Sequence, residues 1–365
     1  MKRLAKIMIC VCLCAVLLGA LAGCEKSVKE DTSSEEAQIQ TETNASKDAA
    51  VSGDETTKTG TAEPQEDPIK LRIGSLKGPT TMGLLFLMES NNAGTSKNQY
   101  SFEMATAADE ILSLMAKGLL DIALVPANVA ATYYQKTKGS VAVIDVNTLG
   151  VLYLVSSDDS VKGLGDLKGR TIYLTGKGTT PDYVLQYLLQ GAGYGNGDVK
   201  LEYKSEATEV AAILAQTEGA LGFLPQPFVT AAMMQNDKLG IVFSANDAWM
   251  ETQGENASGL VTGVTIVRKE ILEKYPHAVA SFLEEHAASA AAINEDPTEG
   301  ANYCLKEGIV AKEAIAIKAI PYCNVTCLTG EEMKQALQSY LEVLCQFNSA
   351  TVGGKLPEED FYYLP

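Results

Sequence analysis

The stretch RTIYLTGKGTTPDYVLQYLLQGAGY, from Arg170 to Tyr194, decides the fold. It begins with a short run of β-branched and aromatic residues, which predicts a strand. It ends with an apolar segment that stops at glycine, which is typical of a helix. Between the two lies the turn GKGTTP, Gly176–Pro181. A strand that passes through such a turn into a helix leaves free backbone N–H groups at its carboxyl end. The turn therefore either holds a ligand or caps the helix.

The same alternation of strand and helix continues along most of the chain. Further strand-like runs, each short and bounded by turn residues, cover 71–76, 121–125, 141–146, 152–157, 199–204, 220–224, 241–245 and 260–267. Helical patterns cover 108–118, 206–219 and 227–236, and then 276–294, 296–308 and 330–348 in the C-terminal third. The alternation predicts an α/β fold with mainly parallel sheets flanked by helices. We expect the C-terminal helices to pack over the sheet edge and the seam between domains.

The N-terminus predicts export from the cytoplasm. Lys2, Arg3 and Lys6 precede an apolar run over residues 7–18, which is typical of a signal peptide and too short for a spanning helix. The following LAGC, which ends at Cys24, resembles the lipobox of bacterial lipoproteins. This resemblance implies a signal peptide over 1–23 and a lipid on Cys24 that anchors the protein to the cell membrane. The alternative is an ordinary cleaved signal with an incidental cysteine.

Residues 24–68 predict a disordered acidic tether that follows the lipidated cysteine. Ser, Thr, Glu, Asp, Lys and Ala dominate this segment, so it cannot bury enough apolar surface to offset its ordering entropy. The whole chain has 365 residues and a net charge of −17. This acidic balance argues against nucleic acid as a partner, because nucleic-acid binding needs a basic stripe.

Cysteine and histidine usage restricts the chemistry of the folded part. Its cysteines are Cys304, Cys323, Cys327 and Cys345. In an extracellular setting they could form up to two disulfides or remain buried thiols. The only histidines are His277 and His286, and no phosphate-loop, zinc-protease or serine-hydrolase motif occurs. We therefore predict no catalytic residue, metal or cofactor.

Three stretches together resemble the type II solute-binding proteins of ABC importers, particularly the sulfonate, nitrate, taurine and thiamine-precursor branch. They are LMAKGLLDIALVPANVAATY over 114–133, the segment 160–194 around the opening stretch, and AAILAQTEGALGFLPQPFVTAAM over 211–233. The order of these motifs behind the lipobox-like ending carries the resemblance.

The resemblance implies a two-lobed periplasmic-binding-protein fold with the ligand in the interlobe cleft. Lobe one would comprise 69–158 plus 259–365 with the C-terminal helices, and lobe two 159–258. The chain would cross near Ser157–Asp159 and return at Gly259. In such open sheets, ligands lie beyond the carboxyl ends of the strands.

Four turns are the predicted ligand-binding site. LKGPTT in lobe one supplies Pro79, Thr80 and Thr81, and GKGTTP in lobe two supplies Thr179 and Thr180. The turns VPANVA and LPQPF add Asn128, Gln226 and Pro227. For the threonines and Asn128 the alternative is a local cap. We expect Lys77 and Lys177 to point into water.

Two further residue types bear on the ligand. Trp249, the only tryptophan, is expected in the core rather than stacked on a planar ligand. No arginine stands in the four turns, which weakens a bidentate anion site. A thiamine-related pyrimidine therefore remains an alternative to a sulfonate or nitrate.

The resemblance implies a monomeric, extracytoplasmic lipoprotein that delivers a small polar or anionic molecule to the permease of an ABC transporter. Two alternatives stay open. One is an enzyme related to the thiamine-pyrimidine synthases that share this fold, although these use a histidine-centred site. The other is a ligand-sensing lipoprotein without a role in transport.

Overall fold

The computed structural model of the protein describes residues 69–254 and 259–365. The predicted signal peptide, the lipidated Cys24 and the tether lie outside the described residues. Within these two ranges, no helix combines the length and the apolar character needed to cross a membrane.

The secondary structure alternates as the sequence predicts. The strands are β1 (Lys70–Leu76), β2 (Gln99–Ala105), β3 (Ile122–Pro126), β4 (Val141–Thr148), β5 (Leu152–Ser156), β6 (Thr171–Leu174), β7 (Lys200–Tyr203), β8 (Leu221–Pro225), β9 (Gly240–Ser244), β10 (Gly263–Arg268) and β11 (Val325–Leu328). The helices are α1 (Pro79–Met82), α2 (Leu85–Asn92), α3 (Ala108–Ala116), α4 (Ala127–Lys136), α5 (Thr180–Gly191), α6 (Ala207–Gln216), α7 (Phe228–Gln235), α8 (Ala245–Gln253), α9 (Lys269–Lys274), α10 (Pro276–Glu295), α11 (Pro297–Lys306), α12 (Glu313–Ala319) and α13 (Gly330–Phe347). Every predicted strand is present, whereas β2 and β11 were not predicted.

The strands form two sheets, one for each lobe. The sheet of lobe one has the order β11-β4-β10-β3-β1-β2, and that of lobe two β7-β6-β8-β5-β9. In lobe one, β1, β2, β3 and β4 share one direction, and β10 and β11 oppose it. In lobe two, only β5 opposes the other strands. The predicted fold class, with a mainly parallel sheet in each lobe, is confirmed.

The reversed strands show where the chain passes between the lobes. Because β5 lies in the second sheet, the first crossing is Leu149–Val151, before the Ser157–Asp159 position expected from the sequence. The return runs through Gly259–Thr262 into β10. Each crossing meets a sheet at the edge where the parallel strands of that sheet end. The strand that follows the crossing therefore runs antiparallel to them. The sequence identifies β5 as a strand but not its antiparallel pairing with β8.

One hydrophobic cluster continues through both lobes. It includes Val143 of β4, Leu185 of α5 and Tyr340 of α13, all fully buried. Helix α13 packs against β4 and α4 of lobe one and against α5 of lobe two. The expectation that C-terminal helices cover the seam is confirmed.

The structure shows whether Trp249 lies in the core and whether the cysteines form disulfides. Trp249 is fully buried, with ring centroids 4.6 Å from Tyr187 and 5.4 Å from Tyr340, so it belongs to the core as expected. The four cysteines of the described residues are free thiols, and Cys304 and Cys323 are buried.

Close packing of α6 on the second sheet generates a stability prediction. A Cβ at Gly222 of β8 would lie 2.7 Å from Leu214 Cδ1 and 3.0 Å from Val210 Cγ1. Gly222→Ala is therefore expected to lower the free energy of unfolding by about 1–3 kcal/mol, the usual cost of overpacking. Gly240→Ala in β9 is the control, because nothing lies within 4 Å of its added Cβ. Equal unfolding free energies for the two variants in urea denaturation would contradict this packing.

Candidate functional site

The four predicted turns all lie at carboxyl ends of parallel strands. Each follows a strand and leads into a helix: β1 into α1, β3 into α4, β6 into α5, and β8 into α7. Strands β1 and β3 pair in parallel, as do β6 and β8, so each pair of turns shares one sheet edge. The return crossing reaches the same edge, since Gly263 pairs with Pro126 and Thr148. Ligands of open α/β sheets bind at such edges.

The lobes meet directly at Asn128 and Thr180. The Thr180 hydroxyl donates a hydrogen bond to Asn128 Oδ1 over 3.1 Å, and both side chains are buried. Asn128 Nδ2 donates to the carbonyl of Thr351 at 3.4 Å and to that of Gly178 at 3.5 Å. One carboxamide thus joins α4 of lobe one, the turn of lobe two and the segment after α13. An amide suits this position because it both donates and accepts.

The lobe-two turn is held by local bonds that leave α5 without a side-chain cap. Asp182 Oδ2 accepts from the Gly178 N–H at 2.7 Å, and the Thr179 hydroxyl donates to the Gly176 carbonyl at 2.6 Å. Gly176 and Gly178 have φ of 72° and 76°, where glycine is favoured. Thr179 is the N-cap residue, yet its hydroxyl bonds no helix amide. The capping alternative therefore does not account for this pair of threonines.

The lobe-one turn uses its threonines differently. The hydroxyls of Thr80 and Thr81 both donate to the Leu76 carbonyl, at 2.8 and 2.6 Å, and Thr81 also hydrogen-bonds Ser75. Thr81 is fully buried, whereas Thr80 is partly exposed. The Thr80 methyl lies against the return crossing, 2.9 Å from where a Cβ on Gly263 would stand. Neither hydroxyl caps α1.

The fourth turn joins α7 to the first crossing. Gln226 Oε1 accepts from the N–H and hydroxyl of Thr230, at 3.1 and 2.8 Å, and so caps α7 through its side chain. Its own N–H donates to the carbonyl of Val151 at 3.1 Å. Gln226 and Pro227 are buried, and so is Pro79 of the first turn. These residues fix the shape of their turns.

The positively charged residues lie outside the seam. Lys77 and Lys177 are exposed, as expected, and Lys177 Nζ lies 5.4 Å from the ring centroid of Tyr203. The arginines of the described residues pair with carboxylates: Arg72 and Arg268 with Asp121, and Arg170 with Asp158. Each arginine stands towards the strand end opposite the turns. Arg72 in β1 lies about 13 Å along the strand from the turn that follows Leu76. The turns therefore offer hydrogen bonds rather than formal positive charge.

Tyr340 and Thr262 are seam residues that sequence reasoning missed. The Tyr340 hydroxyl lies beside Thr180. Burial raises the pKa of this tyrosine. Among the described residues, neither this hydroxyl nor that of Thr262 at the return crossing has a partner at standard hydrogen-bond geometry. In the sequence, Tyr340 is one of several apolar positions on an amphipathic helix, with no sign that Thr180 is its neighbour.

Comparison with known proteins supports the fold. Residues 135–300 match the family model described as NMT1/THI5 like. No curated protein matches this chain in sequence.

Solved structures extend the likeness over most of the chain. An ABC transporter protein from Parabacteroides distasonis is 24% identical with a TM-score of 0.68, and the match covers 81% of this chain and 99% of that one. The periplasmic aliphatic sulphonate-binding protein SsuA of Escherichia coli is 17% identical with a TM-score of 0.66, over 82% and 93%. The periplasmic nitrate-binding protein NrtA of Synechocystis PCC 6803 is 12% identical with a TM-score of 0.57, over 78% and 84%. At these identities the comparisons establish the fold.

The contact between Asn128 and Thr180 generates a second stability prediction. Thr180→Val keeps the side-chain shape and removes the donor, so the free energy of unfolding should fall by about 1–3 kcal/mol because Asn128 Oδ1 stays buried without it. Asn128→Ala removes the same bond from the other side. In urea denaturation, the double variant should lose less than the sum of the single variants, with a coupling of about 0.5–3 kcal/mol. Additive losses would show that the two side chains do not interact.

Proposed function

Since this chain has the type II periplasmic-binding-protein fold and matches the NMT1/THI5-like family model over 135–300, we propose that it is the solute-binding component of an ABC importer. In this proposal it is an extracytoplasmic, monomeric lipoprotein, anchored to the cell membrane through Cys24. It captures a small polar or anionic molecule and delivers it to the transporter permease.

The observation that carries the proposal is the meeting of Asn128 and Thr180 where strand-to-helix turns of both lobes come together. A solute held at this seam would contact both lobes at once, so its binding would favour the closed arrangement. Thr80, Asn128, Thr179 and Thr180 are the proposed contacts. Pro79, Thr81, Gln226 and Pro227 shape the turns around them.

The chemistry of the turns suits a solute recognised by hydrogen bonds. The proposed contacts are neutral hydroxyl and carboxamide groups, supplemented by the free amides at the starts of α4 and α5. The fold relatives include a sulphonate-binding and a nitrate-binding protein. A sulfonate or nitrate would accept hydrogen bonds from the Asn128 amide and the helix-start amides without an arginine. The threonine hydroxyls already donate within the protein, so they would accept from a donor such as a thiamine-related pyrimidine.

Binding without turnover is favoured over the enzyme alternative. The synthases that prompt this alternative use a histidine-centred site. Here His277 is exposed on α10 and His286 is buried inside lobe one, and neither stands in the four turns. The sensing alternative uses the same solute site and differs only in the membrane partner.

The proposed class of solute can be tested by thermal unfolding against a panel of alkanesulfonates, nitrate and pyrimidines. A true solute at about 100 times its dissociation constant should stabilise the protein by about 2.7 kcal/mol, because it binds only the folded state. The same compound should reduce the radius of gyration in solution scattering as the lobes close. A panel with no stabilising member would count against every solute class named here.

The proposed contacts can be tested by calorimetric titration with the compound so identified. Thr80→Ala and Thr180→Ala should each weaken binding by about 1–3 kcal/mol, because a buried polar group of the solute loses its partner. Thr208→Ala, on the exposed surface of α6, is the control and should leave the affinity unchanged.

Measurements well below the melting temperatures separate loss of binding from loss of folding. If both seam variants bind as tightly as the parent, the threonines serve only the architecture of the turns. In that case the solute would bind at another place in the protein.

A further inference from the structure

We propose that lobe one binds a divalent transition-metal ion of the zinc type between Asp145, His286 and Cys327. These three residues, the Asp–His–Cys cluster, lie apart from the four turns. The proposal is independent of the proposed function.

The cluster is assembled from three separate elements. Asp145 comes from β4, His286 from α10 and Cys327 from β11. Asp145 Oδ2 lies 3.1 Å from His286 Nδ1, and Cys327 Sγ lies 3.9 Å from the same nitrogen. All three donor atoms lie within 4.8 Å of one another. One carboxylate, one imidazole and one thiol thus converge on a single point. In the sequence, Asp145 lies 141 positions and Cys327 lies 41 positions from His286.

The two separations measured from His286 Nδ1 fit tetrahedral coordination. With ordinary zinc bond lengths, sulfur and nitrogen ligands stand about 3.6 Å apart, and nitrogen and oxygen ligands about 3.3 Å apart. The observed 3.9 and 3.1 Å require shifts of only a few tenths of an ångström. Three protein ligands leave a fourth position for water. Cys327 is partly exposed, which supplies a path of entry from solvent.

The surroundings orient the carboxylate as metal sites require. The other carboxylate oxygen, Asp145 Oδ1, accepts from the Thr265 hydroxyl at 2.7 Å, and Asn147 Nδ2 donates to that hydroxyl at 3.1 Å. Asp145 and Thr265 are both fully buried. This outer layer fixes Asp145 while leaving Oδ2 directed at the cluster. Such second partners raise metal affinity by holding ligands in place.

A nucleophilic triad would use His286 differently. In a Cys-His-Asp triad, the acid and the nucleophile contact opposite nitrogens of the imidazole ring. Here both approach Nδ1, and the buried Nε2 has no hydrogen-bond partner among the described residues. Convergence of all three donors on one side of the ring matches a shared ion.

Charge balance also suits a divalent ion. On binding, the Cys327 thiol loses its proton to solvent and becomes a thiolate. The proton on His286 Nδ1, which the Asp145 carboxylate accepts in the metal-free protein, moves to Nε2, so that His286 binds through Nδ1 as a neutral imidazole. The two negative charges of Asp145 and Cys327 then offset the ion, so the occupied site is neutral. A neutral cluster avoids the cost of an uncompensated buried charge.

Differential alkylation of the full chain tests the proposal without any mutation. The reduced protein is stripped with a chelator, dialysed, and treated with a maleimide in the presence or absence of Zn²⁺. Cys327 should be protected by Zn²⁺, as read from its peptide by mass spectrometry. Cys345, a partly exposed thiol of α13 outside the cluster, is the internal control and should label equally in both samples. Equal labelling of Cys327 with and without Zn²⁺ would overturn the proposal.

Cobalt titration gives a second, spectroscopic readout. The difference spectrum between the parent and Cys327→Ser should contain a cobalt–thiolate band in the near ultraviolet that Zn²⁺ displaces. The affinity of Cys327→Ser should fall at least about 100-fold, the upper end of the loss caused by outer-shell changes. The two proteins are identical at every other cysteine, so any contribution from those cysteines cancels.

The matched variant Cys345→Ser should retain the parent spectrum. Circular dichroism in chelator checks that Cys327→Ser is folded. Identical cobalt spectra for the parent and Cys327→Ser would refute the site. Solute binding measured in chelator remains a separate test, so either proposal can fail alone.

Discussion

The common edge at which the parallel strands end is the constraint on which the rest of the structure depends. Helices α1, α4, α5 and α7 begin there, so the amino ends of four helices gather at one seam. Strand β4 also ends there, and the chain leaves for the other sheet from that point. The next strand, β5, must therefore run backwards, and so must β10 after the return. The crossing segments consequently contact the turns directly, since Val151 accepts a hydrogen bond from the Gln226 N–H and Thr262 accepts one from the Ala127 N–H.

The two similar turns in the sequence do not make similar contacts. In lobe one, Thr80 and Thr81 both donate to Leu76, so the pair secures its own strand end. In lobe two the pair is divided, since Thr179 closes its turn on Gly176 and Thr180 reaches across to Asn128. A neutral hydroxyl and carboxamide are suited to this buried position, because a buried ion pair would carry a larger desolvation cost. At this seam, lobe two's second threonine and lobe one's amide therefore make a specific contact between the lobes.

Local sequence patterns predicted most of the fold, because buried strands bounded by turn residues and helices ending at glycine carry strong signals. Strand β2 was missed because it lies at a sheet edge with mostly half-exposed residues, and β11 because it has only four residues. The four turns were located correctly between strand and helix. Their contacts could not be predicted, since Thr180 and its neighbour Tyr340 lie on separate elements and periodicity says nothing about which elements meet.

The interior of lobe one and its seam are connected through a single short helix. Gly83 directly follows α1, and a Cβ there would stand 3.2 Å from His286 Nε2 and 3.1 Å from Val325 Cγ1. Glycine permits this close approach of backbone to ring. At the other end of α1, Thr80 packs against Gly263 of the return crossing. Because protein interiors are close-packed, the His286 ring leaves room only for a glycine directly after α1. His286 of the Asp–His–Cys cluster and Gly263 of the return crossing therefore lie close to opposite ends of α1.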